Sequence, residues 1–340
     1  MGATIRASPD EAVSDGDGTG TSEGGDPMTS TTGTTAMSAT AWTAFAAVSV
    51  LWGVPYLLIK VAVDDGVPPV FLAWVRIVIG AAVLLTLAYR SGTLRSLAGR
   101  WRWLAVFALV EITLPFPLIA AGEQHVSSSL AAILIAATPL FVAVLALRFD
   151  ATERAGGARL AGLVIGLLGV VALVGIDVAG RADELFGAAA IVVAALCYAI
   201  GPMILKRHLA DLDPVAAMGG TLAIATVYLT IPALLDPPAR MPSAEGVGAL
   251  VALGFLCTAL GLYLFFTLIA EVGAGRAVVI TYVNPVIAVA LGMIVLGEQP
   301  GAGSALGLVL ILAGSWLSTR PAKSRRAEVA APVQPSEVSA

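Results

Sequence analysis

Residues 273–298 read GAGRAVVITYVNPVIAVALGMIVLGE. The stretch is apolar over a length that suits a membrane helix, with Pro285 near its middle and Gly297-Glu298 closing it. Upstream, residues 127–153 read SSSLAAILIAATPLFVAVLALRFDATE. Pro139 and Pro285 stand 146 residues apart, and the closing acids Glu153 and Glu298 stand 145 apart. A repeat of this length decides the fold reading before any single helix does.

The repeat extends outward from these two copies. Residues 52–60, WGVPYLLIK, are echoed by residues 198–206, YAIGPMILK, with Lys60 and Lys206 again 146 apart. Gly162 and Gly169 return as Gly307 and Gly314 at a spacing of 145. The chain therefore divides into a first repeat, 38–180, and a second, 181–320, with an acidic tail over 1–37 and a tail over 321–340.

Composition sets the class. The chain is 58% hydrophobic and 12% charged, with mean hydropathy +0.91, against roughly 25% charged residues in a soluble domain. Two cysteines, Cys197 and Cys257, and two histidines supply neither a disulfide framework nor a four-ligand zinc site. The net charge of −4 is carried by the first 37 residues, where six acids face Arg6. That segment is rich in Gly, Ser, Thr and Asp and is expected to be disordered. It lacks the pattern of a secretory signal, and Met28 and Met37 are alternative starts.

Ten apolar runs follow, at about 40–63, 69–89, 102–122, 126–147, 157–176, 185–205, 214–235, 246–270, 273–296 and 301–319. Each matches the ~20 residues needed to cross a bilayer. The expected fold is all-α integral membrane, with ten transmembrane helices in two five-helix repeats. Placing both termini in the cytoplasm puts fifteen of the nineteen basic residues inside, leaves Lys60, Arg181 and Arg240 outside, and keeps Arg76 within a span. Five spans per repeat is an odd number, so the second repeat enters from the opposite side. That is an inverted repeat, whose two near-equivalent conformations suit alternating access. A duplicated bundle without a transport role is the plain alternative.

WGVPYLLIK, LPFPLIAAGEQHVSSSLAAIL, the ATPLFVAVLA helix with its later Glu153, and TYVNPVIAVALGMIVLGE together resemble the EamA-type branch of the drug/metabolite transporter superfamily. The resemblance covers about 40–320. It implies ten transmembrane helices and movement of small metabolites, often export, without naming a substrate. One departure stands out: Glu153 follows Pro139 by 14 residues, whereas Glu298 follows Pro285 by 13.

Candidate residues fall into three groups. Prolines inside spans free backbone carbonyls, which hydrocarbon tolerates only against protein or a water-filled path. Pro139 and Pro285 are matched in this respect, and Asn284, with Tyr282 close by, has an amide for a substrate or a freed carbonyl. Trp52, Tyr56 and Lys60 share a helix face at i, i+4, i+8, to stack a partly apolar substrate or to anchor the helix at the interface. Arg76 and Glu111 are the deepest charges, at a cost of roughly 2.5–3.5 kcal/mol each. Their depths differ by about 5 Å, so they are expected to pair, either structurally or with Arg76 binding an anionic group and Glu111 carrying a proton. Lys60 with Glu298 outside, and Lys206 with Glu153 inside, are expected as gates joining the repeats. The glycine pairs Gly162/Gly166 and Gly303/Gly307 are expected to pack helices within one bundle rather than between two chains.

Other functions find less support. No lysine follows a glycine, which excludes a P-loop ATPase within this chain. A membrane enzyme acting on a lipid needs clustered acids at one face, yet Asp64-Asp65 and Asp211/Asp213 fall on opposite sides. Asp213 instead reads as a helix start before Pro214. No catalytic residue, cofactor, metal site or nucleic-acid partner is expected. The expected partners are a small-molecule substrate, the bilayer and protons, with the chain a monomer or homodimer.

Overall fold

A computed structural model describes residues 37–149, 157–178, 180–277 and 279–319. Among them, eight helices are long and apolar enough to cross a membrane. They are α1 (Ala39–Asp64), α2 (Pro69–Arg90), α3 (Trp101–Glu123), α4 (Ser128–Leu145), α5 (Gly157–Val178), α6 (Ala182–Leu209), α7 (Pro214–Leu235) and α8 (Ala244–Val272). Two further apolar helices, α9 (Ile280–Val295) and α10 (Ala302–Ser318), are shorter. The run expected over 273–296 loses its beginning because Gly273 turns at φ 82° and Ala274–Ala277 form a separate short helix.

Proline chemistry sets the breaks. α1 is interrupted at Val54, ahead of Pro55, and α4 at Ala136 and Ala137, ahead of Pro139. In α3 a π-helical turn over Leu109–Thr113 precedes Pro115, and Leu114 N donates five residues back to the Leu109 carbonyl at 3.0 Å. The corresponding helix of the second repeat, α8, carries a π-helical stretch over Leu253–Leu260. Such insertions mark functional helices more often than neutral ones. Helix starts are capped by Ser127, Asp213 and Ser243, which accept from Leu130, Ala216 and Gly246 N–H groups.

The packing repeats itself. α2 lies on α7, α4 on α9 and α5 on α10, so each of these helices contacts its own counterpart. α1 packs on α8 and α9, as α6 packs on α3 and α4. Exchanging helix n with helix n+5 maps this contact pattern onto itself. Counterparts run antiparallel where their ends meet. Asp177, at the end of α5, takes the N–H groups of Gly303 and Ser304 at the start of α10, at 3.0 and 2.6 Å. Glu298, just after α9, does the same at the start of α4. These ends define one face of the bundle, here the Glu298 face. The opposite end, the Arg100 face, holds Arg100 on Asp211 and Trp103 stacked on His208 at 3.4 Å.

The glycines of α5 and α10 pack within the bundle. A Cβ on Gly162 would lie 2.6 Å from Ser318 N, one on Gly169 2.8 Å from Leu310 Cβ, and one on Gly307 2.8 Å from Leu173 Cβ. A Cβ on Gly314 would overlap the Gly166 backbone. Close backbone approach substitutes here for the hydrophobic drive that lipid removes. Gly314→Val should therefore lower unfolding stability in detergent by about 1–3 kcal/mol, while Leu306→Ala on the exposed side of the same helix stays near wild type.

Candidate functional site

Arg76 is held on α2 with 9% of its surface exposed. Its Nε donates to Thr258 Oγ1 at 2.8 Å, and its Cζ stands 4.1 Å from the centre of the Phe116 ring. Thr258 in turn donates to the Leu253 carbonyl five residues back, at 2.9 Å, inside the π-helical stretch of α8. Two glycines let α2 and α8 close around this group: a Cβ on Gly254 would lie 3.0 Å from the Arg76 carbonyl, and one on Gly80 2.9 Å from Thr258 Cγ2. Tyr56, Tyr198, Cys257 and Glu123 are the polar groups that face the guanidinium.

Glu111 was the expected partner of Arg76, and among the described residues the two form no ion pair. Glu111 lies within the π turn of α3, which aims its side chain at Gly201 on α6, and its buried Oε2 has no hydrogen-bond partner among the described residues. Within a π turn the backbone departs from regular α spacing, so the direction of the Glu111 side chain does not follow from its place along the run.

The expected Lys60–Glu298 gate is also arranged differently. Lys60 Nζ bonds Asp64 at 2.8 Å, one turn along its own helix, and the Glu123 backbone carbonyl at 3.1 Å. Glu298 accepts from Ser128 N at 2.7 Å, Ser129 N at 3.0 Å and Ser129 Oγ at 2.5 Å. The free N–H groups of a helix start form a ready anion site, and they outcompete a lysine already satisfied. Gly292 makes room, since a Cβ there would lie 2.5 Å from Ser129 Oγ. The repeats are thus joined at this face through Glu298, with a helix start as donor. Of the other pair, Lys206 is exposed and Glu153 lies outside the described residues.

Glu123 was not singled out from the sequence. It ends α3, is 0% exposed, and neither carboxyl oxygen has a hydrogen-bond partner among the described residues. Lys60, Glu298, Arg76 and Asp64 are the charged groups close enough to act on it. The signal was available: the apolar run drawn over 102–122 stops directly before an acid that begins a polar triplet, Glu123-Gln124-His125, ahead of the α4 cap.

The remaining candidates divide. Trp52 and Tyr56 are both partly buried, yet the Trp52 ring lies tilted at 46° against Phe265 of α8, centroids 4.6 Å apart, whereas Tyr56 packs against a cluster that includes α4 and α6. The break at Val54 between them turns their shared face into two. Asn284, with its amide turned to donate, reaches the Ser49 carbonyl on α1 at 3.1 Å and the Ile280 carbonyl at 3.0 Å. It ties α9 to α1 beside the buried Pro285. Pro139 is partly exposed, and Tyr282 Oη meets Thr319 Oγ1 at 2.8 Å toward the Arg100 face. Tyr56, Arg76, Tyr198 and Glu123 therefore form one cluster, and Asn284 and Tyr282 stand apart from it. The acids weighed for an enzyme are engaged elsewhere: Asp65 holds Ser243 N and Arg240, and Asp211 holds Arg100.

A buried cationic cluster between two antiparallel repeats of apolar helices is the architecture of a multi-pass membrane transporter. The EamA-like transporter family model matches residues 40–175 and 185–320, and the chain belongs to that family. It is similar to the uncharacterized transporter YoaV of Bacillus subtilis, 25% identical over 281 residues, covering 80% of this chain and 94% of YoaV. Protein PagO of Salmonella typhimurium is 26% identical, with 81% and 91% covered. The uncharacterized inner membrane transporter YedA of Escherichia coli is 28% identical, with 75% and 82% covered. A solved crystal structure shares the fold at TM-score 0.60 and 21% identity, covering 82% of this chain and 96% of that one.

Thr258→Val keeps the shape and removes the acceptor of Arg76. It should cost about 1–3 kcal/mol, the penalty of stranding a buried donor, and Thr258→Ser should recover most of it in the same unfolding measurement.

Proposed function

We infer that this chain is a secondary active transporter that moves a small metabolite or drug-like molecule across the cytoplasmic membrane by alternating access, as an exporter. One observation carries the reading. α4 is broken ahead of Pro139, and its counterpart α9 packs along the α4 half that starts at Ser128, where Glu298 docks, whereas the described part of α4 beyond Thr138 packs chiefly on α5, α6 and α10. A pair that meets at one face and parts toward the other suits one state of a two-state cycle.

In this proposal all ten apolar helices span the bilayer as two inverted five-helix repeats with both termini cytoplasmic, so the Glu298 face is outside and is the closed side. Trp52, Tyr56, Pro139, Tyr282, Asn284 and Pro285 line the route toward the Arg100 face. Arg76 binds an anionic group of the substrate, and Glu111 is a second polar contact on the route. Glu298 on the α4 start, with Lys60 beside it, is the outer gate. Lys206 and Glu153 are the inner one. Protons are the coupling ion. An enzyme acting on a lipid is disfavoured because Asp64, Asp65 and Asp211 are already engaged in structural pairs.

Topology is checked with reporter fusions. Fusions after Arg181 and Arg240 should report the outside, and those after Arg95 and Arg326 the inside. An outside signal at Arg326 sinks the scheme.

Transport is tested in liposomes holding the purified protein, loaded with compounds chosen by a growth screen of deletion and overexpression strains. The expected result is movement of one compound against its gradient when a proton gradient is imposed, lost in Arg76→Ala. Chemical conversion of the compound with no net movement would instead support the enzyme.

A further inference from the structure

We propose that Glu123 is the proton-binding group of the cycle, protonated while Glu298 is docked on the α4 helix start and deprotonated once Glu298 leaves. The proposal rests on the transport reading above. Its starting point is burial: a carboxyl with no exposed surface and no partner for either oxygen among the described residues. Such a group is stable only with a proton or with a counter-charge. The obvious counter-charge is taken. Lys60 Nζ lies on Asp64 and on the backbone carbonyl of Glu123, and neither bond reaches the carboxyl.

Counting charges gives the rule. Tyr56, Lys60 and Asp64 from α1, Arg76 from α2 and Glu298 beside α9 are the titratable groups that face Glu123. With Glu298 docked, Lys60 and Arg76 balance Asp64 and Glu298, so the group around buried Glu123, whose outer member Asp64 is exposed, is neutral when Glu123 carries a proton. When α9 swings away with Glu298, Lys60 and Arg76 face Asp64 alone. The remainder is then one positive charge, and an ionised Glu123 restores neutrality. A proton on Glu123 thus favours the closed seam, and its loss favours the open one. Two carboxylates, one from each repeat, cannot both stay charged at this junction without cost. Three donors at the α4 start hold the Glu298 carboxylate in the docked state. Glu111 meets no such exchange, as its side chain lies against Gly201 on α6.

The test needs no substrate. Spin labels at Gln124→Cys and Gln299→Cys, both exposed at the seam, are placed in the full chain carrying Cys197→Ala and Cys257→Ala. Their separation is measured in phosphatidylcholine and phosphatidylglycerol nanodiscs between about pH 5 and pH 9. The short separation should dominate at low pH. The ratio of long to short should rise by about 5–150-fold at high pH, the usual range for two coupled sites. Glu123→Gln should hold the short separation throughout, and Glu111→Gln should follow wild type. A Glu123→Gln chain that still opens with pH as wild type does overturns the proposal and leaves the transport reading standing. A wild-type seam that never moves overturns both. If Glu123→Gln fails to fold, Glu298→Gln decides: reciprocity requires its pH response to flatten, and an unchanged response overturns the proposal.

Discussion

Hydrocarbon offers no hydrogen bonds, so every backbone N–H and C=O in the bundle must be satisfied by the protein itself. That constraint makes the helices long and unbroken wherever it can, and it makes each interruption informative. Among the described residues, the π stretches of α3 and α8 fall at corresponding places in the two repeats, whereas the breaks ahead of Pro55 and Pro139 have no counterpart break at Pro202 and Pro285. Val54 before Pro55, the π turn before Pro115, the Ala136–Ala137 step before Pro139 and the π stretch of α8 all occur at mid-helix. Some of the polar groups near these breaks find partners of a specific kind. Thr258 accepts from Arg76 while bonding back to Leu253, and Asn284 crosses from α9 to Ser49. The buried charge at Arg76 is thus a consequence of the α8 irregularity as much as of the arginine.

The same constraint governs the helix ends. Free N–H groups at the starts of α4 and α10 lie close to the low-dielectric core, where an anion is the strongest available partner. Glu298 and Asp177 supply it, each arriving from the other repeat. The result is a bundle whose two halves are clasped at one face by carboxylates and sealed along α5 and α10 by glycine contacts.

Much of this was legible in the sequence. The 145- and 146-residue offsets, the glycines of α5 and α10 and the helix start at Asp213 are covalent facts, and they map directly onto packing. Depth was also legible, because rise per residue is constant. Direction around the helix axis was not. Glu111 lies inside a π turn, where side-chain direction departs from the regular helix, and its carboxyl lies against Gly201 rather than Arg76. Lys60 bonds a same-helix partner, Asp64, which needs no second helix to be in place. Glu123 was missed because it sits at the boundary of an apolar run, where an acid looks like a solvated end.

The exchange of caps between Asp177 and Glu298 bears on the indivisibility of the chain. Cut between α5 and α6, neither piece is self-sufficient. The first would carry Asp177 with nothing to hold, and an α4 start with bare N–H groups. The second would carry Glu298 unbound, and an uncovered α10 start. The two repeats therefore complete each other's helix starts, and the covalent link keeps both caps in one molecule.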